Sequence, residues 1–259
     1  MTGQVQAAPR DDSYDVVVLG AGAGGLTAAL VASLEGQRTL LIERSGHIGG
    51  TTARSSGTVW IPDNPEQRRR GVQDDASAVR AYLDALVGTR ADPALREAFI
   101  VAGPQMLRYL EERTDVRFRG YLTSVDYRQD LPGAALGGRP LEPLAFDGRT
   151  LGEAFDRVLA PLPELMLFGG MMITRGEAAR LLRLPKSIDA FGLGARLITR
   201  YAADRLRYRR GTRVVLGNAL AARLFRNLLD RGVAIWYETV ASQLVVDGGR
   251  VTGIVVQRD

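Results

Sequence analysis

Apolar and polar positions alternate between two regimes along the chain. Val16-Val17-Val18-Leu19 is a short unbroken apolar run, the pattern of a parallel strand buried on both faces. A glycine cluster follows at 20–25. Residues 26–34 are then rich in Ala and Leu and predict a helix that Gly36 ends, and Thr39–Ile42 reads as a second buried strand. Together these segments read as one βαβ unit. Residues 45–62 carry Gly, Ser and Thr without periodicity, the composition of a polar loop that faces a ligand beside a buried sheet.

From about Asp74 the period becomes helical: Val79, Leu83, Leu86 and Val87 share one face, and Gly88 supplies a stop. Asp92-Pro93 reads as N-cap and first position of a helix through Leu110, kinked near Gly103-Pro104. Residues 119–149 form a long Gly- and Pro-rich loop. Thr150–Glu153 and Thr174–Glu177 have capping-box spacing, so helices are expected to start at both, with another over Ser187 to about Tyr208. The last 50 residues or so return to α/β character. A helix is expected over Ala219–Leu229 with Gly232 as its cap, then a buried strand over Val233–Tyr237. Leu244–Val246 and Val251–Val256, joined by Asp247–Arg250, read as a β-hairpin.

The 259 residues are 46% hydrophobic and 24% charged, which suits a globular protein and excludes disorder. No apolar run is long enough for a transmembrane helix, and the polar first 15 residues lack the apolar core of a secretory signal, so a cytoplasmic location is expected. Without cysteine there are no disulfides, thiolate nucleophiles or iron–sulfur ligands, and His47 as the single histidine disfavours triads and multi-histidine metal sites. The net charge of +5 comes almost wholly from arginine, since Lys186 is the single lysine. The arginines are scattered, with tight clusters at 68–70 and 209–210 and no nucleic-acid signature beside them, so they read as solvated surface.

The glycine cluster carries chemistry. Gly20, Gly22 and Gly25 form G-x-G-x-x-G, with Ala23 and Gly24 between, at the junction of strand and helix. Missing side chains there permit a tight turn and let backbone N–H groups meet a pyrophosphate at the positive helix end. Glu43 lies 23 residues beyond Gly20, where a carboxylate can accept from both ribose hydroxyls and repel a 2′-phosphate. This fingerprint fits FAD and NAD equally.

Residues 43–62 distinguish the two, because Glu43-Arg44 through Gly49-Gly50-Thr51-Thr52-Ala53-Arg54-Ser55-Ser56-Gly57-Thr58-Val59-Trp60-Ile61-Pro62 resembles the FAD-binding loop of the fumarate reductase/succinate dehydrogenase flavoprotein superfamily. The stretch from Thr52 to Pro62 is especially similar to the 3-ketosteroid 1-dehydrogenases. The resemblance implies flavin and pyrophosphate contacts from Gly50, Thr51, Thr52 and Gly57, and nucleotide contacts from Glu43 and Arg44. Ser56 and Thr58, which stand where the family more often has glycine, fall in the same flavin-facing segment. His47 would line this loop without proton chemistry.

A second likeness spans Gly120-Tyr121, Asp126-Tyr127, Pro132-Gly133, Gly138–Pro143 and Phe146-Asp147, similar to the active-site loop of the steroid dehydrogenases. It implies that Tyr127 supports a catalytic tyrosine by hydrogen bonding; a phenol can relay a proton or lower a neighbouring phenol's pKa. A loop tyrosine with its hydroxyl in water is the alternative. Residues 211–253 resemble the segment that completes the adenine side, with backbone near Ala241 touching the adenine. Phe168–Met172 either lines a flat apolar pocket or fills core.

The resemblance thus implies an α/β, Rossmann-like FAD/NAD(P)-binding fold, discontinuous over 10–62 and 212–259, with a mostly helical insertion over 63–211. It implies an FAD-dependent oxidoreductase that removes a proton alpha to a ketone and transfers the adjacent hydride to the flavin, on a 3-ketosteroid or similar flat ketone. A small-molecule substrate, a steroid-like ketone, and an electron acceptor are then its partners. A fumarate reductase-like enzyme of unsaturated carboxylates and a non-catalytic FAD-binding fragment are the alternatives. In the steroid dehydrogenases a further strand and further active-site tyrosines follow the hairpin, so the C-terminal part of the fold is expected to be missing, and the chain to need a complementary half for turnover.

Overall fold

The computed structural model describes residues 13–184 and 186–258. The polar stretch before Ser13, the domain start expected at residue 10 and the final Asp259 lie outside the described residues. The chain divides into two compact units: one runs through Ser55 and resumes at Ala145, and the other is Ser56–Leu144. The insertion expected over 63–211 therefore has different bounds, since residues 145–211 pack with the unit that holds the βαβ element.

In the first unit, β1 (Val16–Leu19), α1 (Ala23–Leu34) and β2 (Thr39–Ile42) form the expected Rossmann-like βαβ unit. β1 pairs with β2 in parallel, Val16 opposite Thr39, and Ala234–Trp236 adds a third parallel strand on the other side of β2. All four residues of central β2 are buried, as a doubly covered strand requires. The expectation of burial on both faces fails for the flanking strands. Val17 and Leu19 of β1 are 37% and 51% exposed, and Ala234–Trp236 is half-buried; Val18 faces Gly25 of α1, so Val17 and Leu19 point to the opposite face of the sheet.

The helix expected at 219–229 begins earlier and spans Leu216–Asp230, with Leu216, Ala219, Leu220, Leu224, Phe225 and Leu228 buried. The hairpin is longer than its apolar core suggested, pairing Thr239–Asp247 with Arg250–Arg258 around Gly248-Gly249. Thr174 and Glu177 make the reciprocal capping box of the helix Arg175–Leu181, and Ser187 caps Ile188–Arg205. No α-helix starts at Thr150. Asp147 caps a 3₁₀ stretch, Gly148–Arg157, and Thr150 spends its hydroxyl on the Asp147 carbonyl, while Gly152 at φ 57° breaks helical geometry. Met171 and Met172 are buried as core, whereas Phe168 is exposed.

The second unit holds the helices Ala76–Val87 and Pro93–Arg113, capped by Asp75 and Asp92 as their sequences require, with Pro104 inside the latter. The segment read as a continuous loop over 119–149 contains short strands. Pro140–Pro143 lies between Val59–Trp60 and Phe118–Gly120, antiparallel to both. Among the described residues, no helix is long and apolar enough to cross a membrane.

Candidate cofactor site

The glycines between β1 and α1 serve three different needs. Gly20, at φ 92°, turns the chain through a left-handed conformation that favours glycine. A Cβ on Gly25 would fall on the Gly20 carbonyl oxygen, so Gly25 lets α1 approach the strand end. A Cβ on Gly22 or Gly24 would meet no atom within 4 Å. Folding alone therefore does not require glycine for space at 22 and 24, and the space is open to a ligand. Gly22 is the extended N-cap of α1 and offers no side-chain cap, which leaves the positive helix end to an anion. This cradle fits a pyrophosphate.

Glu43 is buried at the end of β2. One carboxylate oxygen accepts from the Ala21 N–H at 2.8 Å and the other from the Ser45 N–H at 2.9 Å. It fastens the glycine turn to the end of β2, and each oxygen keeps a further lone pair for a ribose hydroxyl. Arg44 beside it is exposed.

The segment after β2 returns to the glycine turn. The Gly49 N–H donates to the Ala21 carbonyl at 2.7 Å, and α2 (Gly50–Ala53) starts there. Gly50 is left-handed at φ 47°, and a Cβ on it would stand 3.6 Å from the Gly22 Cα, so the two glycine backbones face each other closely. The Ala23 N–H donates to the Thr52 hydroxyl at 3.0 Å, tying α2 to the first turn of α1, and Thr51 is exposed. The structure thus brings Gly20, Gly22, Ala23, Gly24, Gly25, Glu43, Gly50 and Thr52 into one cluster.

A buried polar anchor behind α2 escaped the sequence reading. Asn218 is fully buried, donates to the carbonyls of Ala53 at 3.2 Å and Leu159 at 2.7 Å, and accepts from Arg210 at 3.0 Å. Burial pushes the Arg210 guanidinium down to about 10, opposed by the charge of Asp156, and the group lies 4.3 Å from the Phe155 ring centre. Gly217 comes so close to α2 that a Cβ would strike the Thr52 carbonyl. An asparagine within the apolar run 216–225 was the available signal.

Ser56, Gly57, Thr58 and Tyr127 belong to the second unit. Gly57 is buried at φ 65°, a conformation that favours glycine. The hydroxyls of Ser56 and Thr58 lie 3.2 Å apart and hydrogen-bond each other. Tyr127 is 96% exposed. Its neighbour Asp126 is buried and joined to Trp60 and Arg139. In the first unit Ala241 lies on the long hairpin opposite Val256, half-buried beside a register shift. His47 is exposed.

A strand, a glycine cradle at an uncapped helix end and a carboxylate closing the next strand define a dinucleotide-binding protein. Residues 15–259 match the family described as FAD binding domain, and the chain belongs to that family, whose cofactor is FAD. It is 34% identical over 248 residues to a 3-oxosteroid 1-dehydrogenase of Mycobacterium tuberculosis, covering 94% of this chain and 43% of the relative. Against a 4-oxocyclohexanecarboxylate 2-dehydrogenase of Sinomonas cyclohexanicum the identity is 37% over 256 residues, covering 96% of this chain and 41% of the relative. Among solved structures, the 3-ketosteroid Δ1-dehydrogenase of Sterolibacterium denitrificans, crystallised with 1,4-androstadiene-3,17-dione, superposes with a TM-score of 0.86 at 35% identity, over 95% of this chain and 44% of that one. The chain spans less than half the length of these relatives.

Proposed function

We propose that the chain is the FAD-binding part of an oxidoreductase that introduces a double bond next to a ring ketone. The observation that carries this is the likeness to the Sterolibacterium enzyme, TM-score 0.86 at 35% identity across nearly the whole chain, together with a cradle that has room for a pyrophosphate. The names of the two relatives support a common chemistry. In 3-oxosteroid 1-dehydrogenase and 4-oxocyclohexanecarboxylate 2-dehydrogenase alike, the dehydrogenated carbon stands two positions from the ketone carbon in a six-membered ring. The substrate class is then a cyclic ketone, a 3-ketosteroid or a smaller ring, losing a proton alpha to the carbonyl and a hydride from the adjacent carbon.

FAD, when bound, supplies the hydride acceptor. Gly22, Gly24 and the N-terminus of α1 would hold its pyrophosphate, Glu43 the ribose hydroxyls, Arg44 the nucleotide, and backbone near Ala241 the adenine. Gly50, Thr51, Thr52, Ser56, Gly57 and Thr58 would serve the flavin, and Asn218 holds the end of α2 through the Ala53 carbonyl. Tyr127 holds a proton on its phenol oxygen and supports a partner phenol by hydrogen bonding.

The test is dye-coupled oxidation, with FAD, of a 3-ketosteroid and of 4-oxocyclohexanecarboxylate, and reduction of fumarate, by the chain alone and mixed with the C-terminal portion of a 3-oxosteroid 1-dehydrogenase. The proposal expects desaturation of a cyclic ketone, dependent on the added portion. Turnover of fumarate instead, or FAD binding with no ketone oxidation in any mixture, overturns it.

A further inference from the structure

The Gly138-Arg139 pair recurs in the loop likeness, yet the proposed chemistry gives Arg139 nothing to do. Within the second unit, Arg139 is among the largest fully buried side chains. Its Nε and Nη2 donate to the two oxygens of Asp74, both at 2.9 Å, as a bidentate pair. Its Nη1 donates to Asp126 at 2.7 Å and to the Gly133 carbonyl at 3.0 Å. The guanidinium lies 5.5 Å from the Trp60 ring centre and 5.7 Å from that of Tyr82. Burial pulls its pKa down, but the hydrogen bonds and charge of Asp74, with those of Asp126, outweigh this and leave it above the ordinary arginine value.

Asp126 is the other end of the device. One carboxylate oxygen accepts from the Trp60 indole N–H at 2.6 Å; the second accepts from Arg139 and from the Ala135 N–H at 2.9 Å. The Asp126 N–H donates back to the Ala135 carbonyl at 3.0 Å, and the Gln129 amide donates to the carbonyls of both Asp126 and Ala135. Residues 126–135 are therefore a loop closed at its neck, with the neck tied to a buried cation and the exposed Tyr127 as the first residue of the tip.

We infer that Arg139, held by Asp74, is a positioning residue that clamps Asp126 and so fixes the loop that presents Tyr127. This rests on the reading of Tyr127 given above and deepens it. An exposed phenol on an untied loop would sample many directions, and orienting it for one hydrogen bond would be lost in that freedom. A buried ion pair is an economical way to fix a direction rather than to gain stability.

The experiment uses the 259-residue chain and three variants, read by amide hydrogen exchange over 126–135 and by the rate of trypsin cleavage after Arg128. Arg139→Met strands two buried carboxylates and can simply unfold the unit, so Asp74→Asn is the decisive variant: it is isosteric and lies outside the loop. Exchange over 126–135 and cleavage after Arg128 are expected to rise about tenfold or more in Asp74→Asn, with exchange over 16–42 unchanged and Arg139→Lys intermediate. Equal exchange over 126–135 in wild type and Asp74→Asn overturns the clamp. A ketone-oxidation cycle, run in the mixture with the added C-terminal portion, then separates a positioning role from a merely structural one. Asp74→Asn should lower kcat in the wild-type background, leave KM near its original value and add little once Tyr127→Phe is present, whereas equal loss in both backgrounds overturns positioning through Tyr127. If Tyr127→Phe has no effect on kcat while Asp74→Asn still loosens the loop, the role of Tyr127 in the proposed function fails and the clamp stands.

Discussion

The glycine cradle of the first unit and the Tyr127 loop of the second solve the same problem in opposite ways. The cradle is built from backbone: Gly20 and Gly50 in left-handed conformations, Gly25 pressed on the Gly20 carbonyl, open space at Gly22 and Gly24. Its precision comes from regular elements, a parallel strand and an uncapped helix end, fastened by the Glu43 carboxylate, the Thr52 hydroxyl and, behind α2, Asn218. The loop over 126–135 contains no helix or strand of its own, although Gly133 presses on the Ala78 carbonyl of the helix Ala76–Val87. Its neck is held instead by buried ionic side chains, Arg139 between Asp74 and Asp126. A backbone site tolerates no Cβ where backbones touch, whereas a site built on buried charge tolerates shape changes poorly and loss of a partner worst.

The largest expected effect breaks the backbone site. Gly25→Val puts two methyls and a Cβ against the Gly20 carbonyl, which costs about 3 kcal/mol or more in overpacking. The first unit should then fail to melt cooperatively in calorimetry; a wild-type melting temperature would show that α1 can shift away. Next, Asn218→Leu removes the donor to the Ala53 and Leu159 carbonyls and the acceptor for half-buried Arg210. Unpaired groups of this kind cost about 1–3 kcal/mol each, so a clear drop in thermal stability should accompany weaker FAD binding. Full stability would make Asn218 incidental.

How legible each region was follows from the same contrast. The βαβ unit was readable because an unbroken apolar run, a glycine cluster and an Ala/Leu helix are local signals, and the capping residues Asp92, Thr174 and Ser187 acted where their types require. Thr150 misled because capping-box spacing ignores competition: Asp147 took the cap and Gly152 broke the helix. Burial of β1 was overread because an apolar run reports composition, and the cover on each face is set by what packs on it: α1 lies against Val18, and Val17 and Leu19 face the other way. The Asp74–Arg139–Asp126 cluster joins residues 65 and 13 positions apart, a spacing that no local periodicity encodes. Gly138-Arg139 and Asp126-Tyr127 were visible as a likeness, but their linkage was not.

Two smaller effects sharpen the comparison. Glu43→Ala loses the fastening of Ala21 and Ser45 and, on the proposed reading, a charge-assisted bond to the ribose, about 1.5–3 kcal/mol. Titration by flavin fluorescence should give FAD affinity about ten- to a hundredfold weaker; an unchanged dissociation constant would confine Glu43 to the turn. The smallest concerns the tip of the Tyr127 loop. The Arg128 guanidinium beside Asp130 holds that carboxyl at about 2. A depressed pKa contributes stability that is present above the unfolded value and lost as pH falls through the folded one, and on this fully exposed pair solvent screening leaves it slight. In Arg128→Ala the Asp130 carboxyl should return toward the ordinary range in an NMR titration, with trypsin resistance elsewhere in the second unit unchanged. A carboxyl that stays near 2 would point to another cause.

On the proposed function, the open space at Gly22 serves FAD rather than the fold, since a Cβ there meets no atom within 4 Å. The direct measurement is FAD binding by Gly22→Val beside its thermal melting curve. The account predicts a melting temperature within a few degrees of wild type and FAD affinity reduced about a hundredfold or more. Undiminished FAD binding by a well-folded Gly22→Val would contradict it.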